Sequence, residues 1–219
     1  VALAYVWMVY QVEERFELWS IPAWAKALLG GLAVGAMGAF GSSHIFGIGH
    51  EGVELALAGA LGVGMMAALV ILKMLATSIT LGAGGSGGGF APALFIGAMT
   101  GGVFGSVMGG LFPTVTASPG AYALVGAAAV FGAAAHAPMT AIVILFEMTD
   151  DYRIILPLML AVVLAQIIAS RLNPDSIYSI KLRRLGGFRP SDGEMGTLDI
   201  LLVADAMEED VSSVPEPMS

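Results

Sequence analysis

Apolar residues run in long blocks broken by short polar or glycine-rich stretches, and the block lengths predict the elements. Residues 1–10 are apolar and aromatic, and the polar patch at 11–17 predicts that a helix closes there. Ser20-Ile21-Pro22 predicts a helix start, because a hydroxyl can cap free amides and proline fits a first turn. A helix over 22–41 follows, and the glycine-rich stretch 42–52 reads as a loop or short re-entrant piece. Residues 53–81 read as one long apolar helix interrupted only by Lys73, and 90–112 as another ended by Pro113. Both exceed the roughly 20 residues that a membrane crossing needs. Beyond them come 120–135, a break at His136-Ala137-Pro138, about ten residues to Met148, a polar turn at 149–151, and 154–172. Short, interrupted apolar segments are the signature of helices that stop inside a membrane protein, where a polar ligand can meet their ends. The fold expected is all-α and polytopic, with tilted, broken and re-entrant helices.

Composition sharpens this picture. Of 219 residues, 57% are apolar and 12% charged, against about 45–50% and about 25% in soluble domains. The mean hydropathy is +0.86, and the 30 glycines suit closely approaching helices in lipid. Soluble enzyme classes are therefore disfavoured. The net charge of −8 sits mostly at the chain ends, and no Asp, Glu, Lys or Arg occurs from Met74 to Phe146. No basic stripe exists to neutralise phosphates, so no nucleic acid is expected. The absence of cysteine excludes disulfides, thiolate metal sites and thiol nucleophiles. All three tryptophans lie in the first 24 residues with Tyr5 and Tyr10, as at a headgroup belt. Arg171, Lys181, Arg183, Arg184 and Arg189 cluster near the exit of the apolar region, which predicts a cytoplasmic C-terminal side. The opening Val1-Ala2-Leu3, in mid-apolar run and without Met, reads as part of something longer.

The most informative stretch is Gly82-Ala83-Gly84-Gly85-Ser86-Gly87-Gly88-Gly89-Phe90-Ala91-Pro92, between two apolar blocks. A dinucleotide fingerprint is formally present at Gly82, Gly84 and Gly87, but it follows a helical pattern and has no acidic residue at the required spacing. A nucleotide P-loop needs lysine where Phe90 stands. The remaining readings are a packing hinge and a backbone anion site. In the latter, consecutive N–H groups converge, and Pro92 starts a helix whose N-terminus adds about half a positive charge. Amide dipoles hold a small monovalent anion weakly enough to release it, as conduction requires.

The run Gly84 to Ala98, with a GxFxP core at Gly88, Phe90 and Pro92, resembles the signature of the CLC chloride channels and chloride–proton antiporters. Val130-Phe131-Gly132, Ala137 to Ala141, Phe146 to Thr149 and Ile177-Tyr178 are similar to later stretches of that family. The resemblance implies residues 1–187 as the later part of a CLC membrane domain, 188–197 as a linker, and 198–219 as the start of a cytoplasmic CBS domain. It implies chloride held by the amides of Gly89 and Phe90 and the hydroxyl of Tyr178, with Gly87, Gly88 and Pro92 supporting the loop. Gly89 stands where the family usually has an aliphatic residue, which would loosen the loop. The implied activity is chloride transport, as a voltage-gated channel or a chloride–proton antiporter, by a multi-pass homodimer of the cell membrane with contacts around 138–172. Gating and proton-accepting glutamates and a chloride-binding serine belong to an earlier half in that family. No cofactor is implied beyond adenine nucleotide at a complete CBS module. The competing class is a non-transporting membrane scaffold with a ligand-sensing cytoplasmic module.

Other features have plainer readings. Gly97, Gly101, Gly105 and Gly109 recur every four residues and read as packing against a helix of the same chain; Gly31 and Gly35 read alike. His44, His50 and His136 lack metal-ligand spacing, and nothing sets a serine beside an oriented histidine for hydrolysis. Lys73 reads as satisfied by a polar neighbour or an interface rather than by an anion, and Glu147 as interfacial or packing.

Overall fold

A computed structural model of the chain describes residues 1–149 and 152–179. The described residues form an all-helical bundle: α1 (Ala2–Glu17), α2 (Ala23–Phe40), a 3-10 turn (Ser43–Ile45), α3 (His50–Leu57), α4 (Val63–Gly82), α5 (Phe90–Leu111), α6 (Pro119–Ala135), α7 (Pro138–Thr149) and α8 (Ile155–Leu172). The linker, the CBS start, the basic exit residues from Lys181 onward, and Asp150 and Asp151 of the predicted turn lie outside the described residues.

Helices α2, α4, α5 and α8 are long and apolar enough to cross a membrane, while α6 and α7 are shorter. Most of the apolar surface of α2 and α8 faces outward, as lipid or a partner requires. The core forms where α6 packs on α5 and α8, and α4 on α1 and α5. The glycine repeat explains the tightest of these seams. A Cβ on Gly97 would fall 2.7 Å from Ala127 Cα, and one on Gly101 would overlap the Tyr122 carbonyl, so the α5 and α6 backbones touch. The repeat is internal packing, as expected, except that Gly109 faces open space. Gly31 and Gly35 differ from expectation: neither meets another group, and Gly30 against Ala83 and Gly38 against Phe46 make the α2 contacts instead.

Three boundaries also differ from the sequence reading. Helix α1 runs through the polar patch to Glu17, because its polar residues can face outward without interrupting the backbone ladder. The cap of α2 is Pro22, with no side-chain bond from Ser20. The apolar run 53–81 is two helices, α3 and α4, separated by a turn with Gly59 at φ +67°. Apolar residues fill both sides of that turn, so hydropathy alone reads across it. The predicted break at 136–138 is present, where His136 takes a left-handed conformation and closes α6.

Candidate functional site

The glycine loop links the end of α4 to the start of α5, and its backbone bonding is uneven. Gly84 N–H donates to Leu81 O at 3.1 Å, Gly85 N–H to Thr80 O at 2.9 Å, and Gly87 N–H to Gly85 O at 3.0 Å. Gly84, at φ +86°, occupies the left-handed region, which a side chain would strain. The first half is thus spent on its own turn. Among the described residues no carbonyl accepts from the N–H of Gly88, Gly89 or Phe90. The first amides of a helix have no intrahelical acceptor, and Gly89 caps α5 without a side-chain bond. Pro92, third in α5, has no N–H to satisfy. With Ala91, four consecutive amides at the positive end of a 22-residue helix have no acceptor among the described residues.

Tyr178 follows the turn that leaves α8. Asp175 N–H donates to Asn173 Oδ1 at 3.2 Å, closing the Asn173-Pro174-Asp175 turn. Ser176 Oγ accepts from Tyr178 N–H at 3.3 Å and Ser179 N–H at 3.1 Å, and Ile177 N–H donates to Ala134 O at 2.9 Å. The Tyr178 amide is therefore spent and its half-exposed hydroxyl is the available donor. Partial burial raises the Tyr178 phenol above its ordinary pKa of about 10, so the group stays a neutral donor near neutral pH.

Loop and tyrosine meet around a cavity of about 410 Å³, lined by Gly84 to Gly89, Ile177 and Tyr178 and by Val9, Tyr10, Glu13 and Leu81. A second cavity, about 460 Å³, is lined among others by Lys73, Gly87, Gly88, Phe90 and Pro92. Leu81, Gly87 and Gly88 line both, so the loop is the partition between them. Of the predicted residues, Gly87, Gly88, Gly89 and Tyr178 share the first cavity. Phe90 and Pro92 line the second, and Phe90 packs edge-on against Phe131 at 4.7 Å between ring centroids.

The Gly89 position is tighter than a loosened loop would be. A Cβ there would fall 2.6 Å from Ile177 Cδ1, so the isoleucine beside Tyr178 fills the space a side chain would occupy. Tyr5 and Tyr10, which the sequence reads as headgroup-belt residues, are instead buried beside this loop, and their part here was not legible in the sequence. Tyr5, fully buried, donates its hydroxyl to Gly89 O at 3.3 Å, and Tyr10 donates to Ile177 O. The partners lie 84 and 167 residues away, and only two tyrosines on an apolar helix hinted at them.

Lys73 is 2% exposed. Its Nζ donates to Ile45 O and Gly47 O, each at 2.7 Å, and lies 5.0 Å from the Phe95 ring centroid. This is the polar-neighbour arrangement that the sequence predicts.

Comparison with known proteins identifies the family. The family model described as voltage gated chloride channel matches residues 1–170. An H(+)/Cl(-) exchange transporter ClcA of Yersinia pestis bv. Antiqua (strain Angola) is 33% identical over 180 residues, covering 81% of this chain and 38% of that protein. A putative chloride channel protein ClcB-like of Ralstonia nicotianae is 35% identical over 177 residues, covering 81% and 41%. Among solved structures, that of a slow cyanobacterial Cl-/H+ antiporter superposes with a TM-score of 0.73 at 27% identity, covering 84% of this chain and 43% of its own. The chain spans about two fifths of the length of these relatives. With most of its length matched by the family model and its helices superposing on a solved antiporter, the chain belongs to the voltage gated chloride channel family of integral membrane proteins.

Proposed function

We propose that the protein moves chloride across a membrane, and that the ion is dehydrated against the N–H groups of Gly89 and Phe90 with the Tyr178 hydroxyl closing the inner side. The observation that carries this reading is the set of unspent amides at Gly88, Gly89 and Phe90, on a loop that shares a cavity with Tyr178. Each hydrogen bond to a charged acceptor contributes about 1.5–3 kcal/mol net. Two or three such donors offset only part of the dehydration of an ion, which leaves it free to move on. The relatives are named as chloride transporters, and exchangers are among them. A scaffold without transport has no comparable support.

The finer reading follows the family resemblance: a homodimer joined through 138–172, a multi-pass location in the cell membrane, a cytoplasmic C-terminus, and adenine nucleotide as the ligand of a completed CBS module. Chloride efflux from proteoliposomes holding the full-length protein tests transport against scaffold. Tyr178→Phe is expected to weaken chloride affinity about ten- to 150-fold, as loss of one charge-assisted bond predicts. Unchanged affinity and flux would remove Tyr178 from the site. Proton movement recorded in the same vesicles sorts exchange from passive conduction.

A further inference from the structure

Both halves of the proposed site hang from one helix. Tyr5 and Tyr10, five residues apart on α1, donate their hydroxyls to the carbonyls of Gly89 and Ile177. The Gly89 carbonyl belongs to the same peptide group as the Phe90 N–H. The Ile177 carbonyl belongs to the same peptide group as the Tyr178 N–H. Gly89 O already accepts from Ala93 N–H at 3.1 Å, so Tyr5 is a second donor on an engaged carbonyl. Satisfying a buried hydroxyl accounts for a bond to some acceptor. It does not account for the effect of this one. A donor on a peptide oxygen draws electron density toward that oxygen and leaves the N–H of the same peptide more positive, a cooperative gain of about 10–30% per bond. The N–H so strengthened is one that no carbonyl among the described residues accepts from.

We propose that Tyr5 is a positioning residue of the anion site, whose hydroxyl polarises the Gly89–Phe90 peptide and makes the Phe90 amide a stronger donor to a small monovalent anion. The inference rests on reading Gly89, Phe90 and Tyr178 as that site. A gain of that size in an amide–anion bond amounts to about 1.3- to fivefold in anion affinity. The ring of Tyr5 supplies packing, and Gly89 O keeps Ala93 as a donor, so Tyr5→Phe removes the polarisation while leaving the carbonyl satisfied.

The test is chloride titration calorimetry on the full-length protein in detergent, with four proteins. They are the unmodified protein, Tyr5→Phe, a semisynthetic form with Phe90 as its α-hydroxy acid, which lacks the N–H, and the combination. Tyr5→Phe is expected to weaken chloride binding about 1.3- to fivefold in the amide background and to have no effect in the ester background. An unchanged affinity in Tyr5→Phe, or an equal loss in both backgrounds, overturns the proposal, since a packing role is indifferent to the Phe90 N–H. Replacement of Tyr5 by 3-fluorotyrosine keeps shape and hydroxyl while improving the donor, and is expected to tighten binding. No tightening counts against the proposal even where Tyr5→Phe fails to fold. Absence of chloride binding by the unmodified protein removes the site itself. Binding that is lost in Tyr178→Phe and kept in Tyr5→Phe removes this inference alone.

Discussion

Placing a methyl group at residue 89 tests whether loop and tyrosine segment are mechanically joined. The Gly89 backbone is right-handed helical, at φ −78° and ψ −9°, so alanine is acceptable there. Relative to glycine it restricts the unfolded chain, a gain of about 0.4–1 kcal/mol. Its Cβ, however, falls 2.6 Å from Ile177 Cδ1 and 3.4 Å from Cγ1. Cδ1 ends a flexible chain and swings away, but Ile177 is buried in the core cluster. Displacing one buried methyl forfeits about 0.8 kcal/mol, and an off-rotamer χ adds about 0.5–1.5 kcal/mol. The opposed terms leave Gly89→Ala about 1 kcal/mol less stable. Ile177→Val deletes Cδ1 and costs about 0.5–1.5 kcal/mol alone. In the double variant the clash is gone while the other terms persist. It is therefore expected to be about 1–2 kcal/mol more stable than the two single effects predict. Denaturant unfolding of the four proteins in detergent micelles measures this coupling. Additivity within about 0.3 kcal/mol refutes the contact and the joining of the two halves with it.

Four further outcomes are expected from the same unfolding assay and from chloride titration. Gly101→Ala forces a Cβ onto the Tyr122 carbonyl and within 3.0 Å of Ala123 Cα, neither able to rotate away, and costs about 2–3 kcal/mol. Gly109→Ala, in open space on the same helix, stabilises by about 0.5–1 kcal/mol, and equal effects at the two positions would contradict the α5–α6 seam. Lys73→Met takes the donor from Ile45 O and Gly47 O and costs about 2–3 kcal/mol; a loss under about 0.5 kcal/mol would show those bonds to be idle. Ser86→Lys adds a cation to the wall of the Tyr178 cavity and is expected to tighten chloride while slowing its turnover. Faster efflux at tighter affinity would argue against weak binding as the reason for an amide site.

The bundle was legible where length and chemistry agreed. The run 90–112 carries a glycine loop before it and Pro113 after it, and α5 spans Phe90–Leu111. The repeat from Gly97 to Gly105 named its own seam, because a face without Cβ atoms lets two backbones touch. The split of 53–81 was not legible, since Gly59 and Gly62 sit among apolar residues and hydropathy does not register a left-handed turn. Nor did Gly31 and Gly35 declare themselves open, because spacing tells which glycines share a face and not what that face meets. At the site, residue types on the loop announced an amide donor set. The residues that brace it are invisible to local pattern: Tyr5 and Tyr10 act on carbonyls far away in sequence.

The division of labour around the loop follows from electrostatics. Lys73 is the only lysine or arginine between Lys26 and Arg153, and it lines the cavity beside the loop. A buried ammonium with no offset to its desolvation would be costly. Here two carbonyl dipoles offset that cost at 2.7 Å, in the 3-10 turn at Ile45 and just after it at Gly47, so the cation is anchored in the turn ahead of α3. The donors of the Tyr178 cavity are by contrast neutral, the phenol and the amides of Gly88 and Gly89, and an amide is adjustable by what its own peptide carbonyl accepts. A charged ligand has a fixed and large attraction, whereas an amide can be tuned in steps through hydrogen bonds on the far side of its peptide. The Tyr5 hydroxyl on Gly89 O is such an adjustment, made on the far side of the Gly89–Phe90 peptide from its N–H.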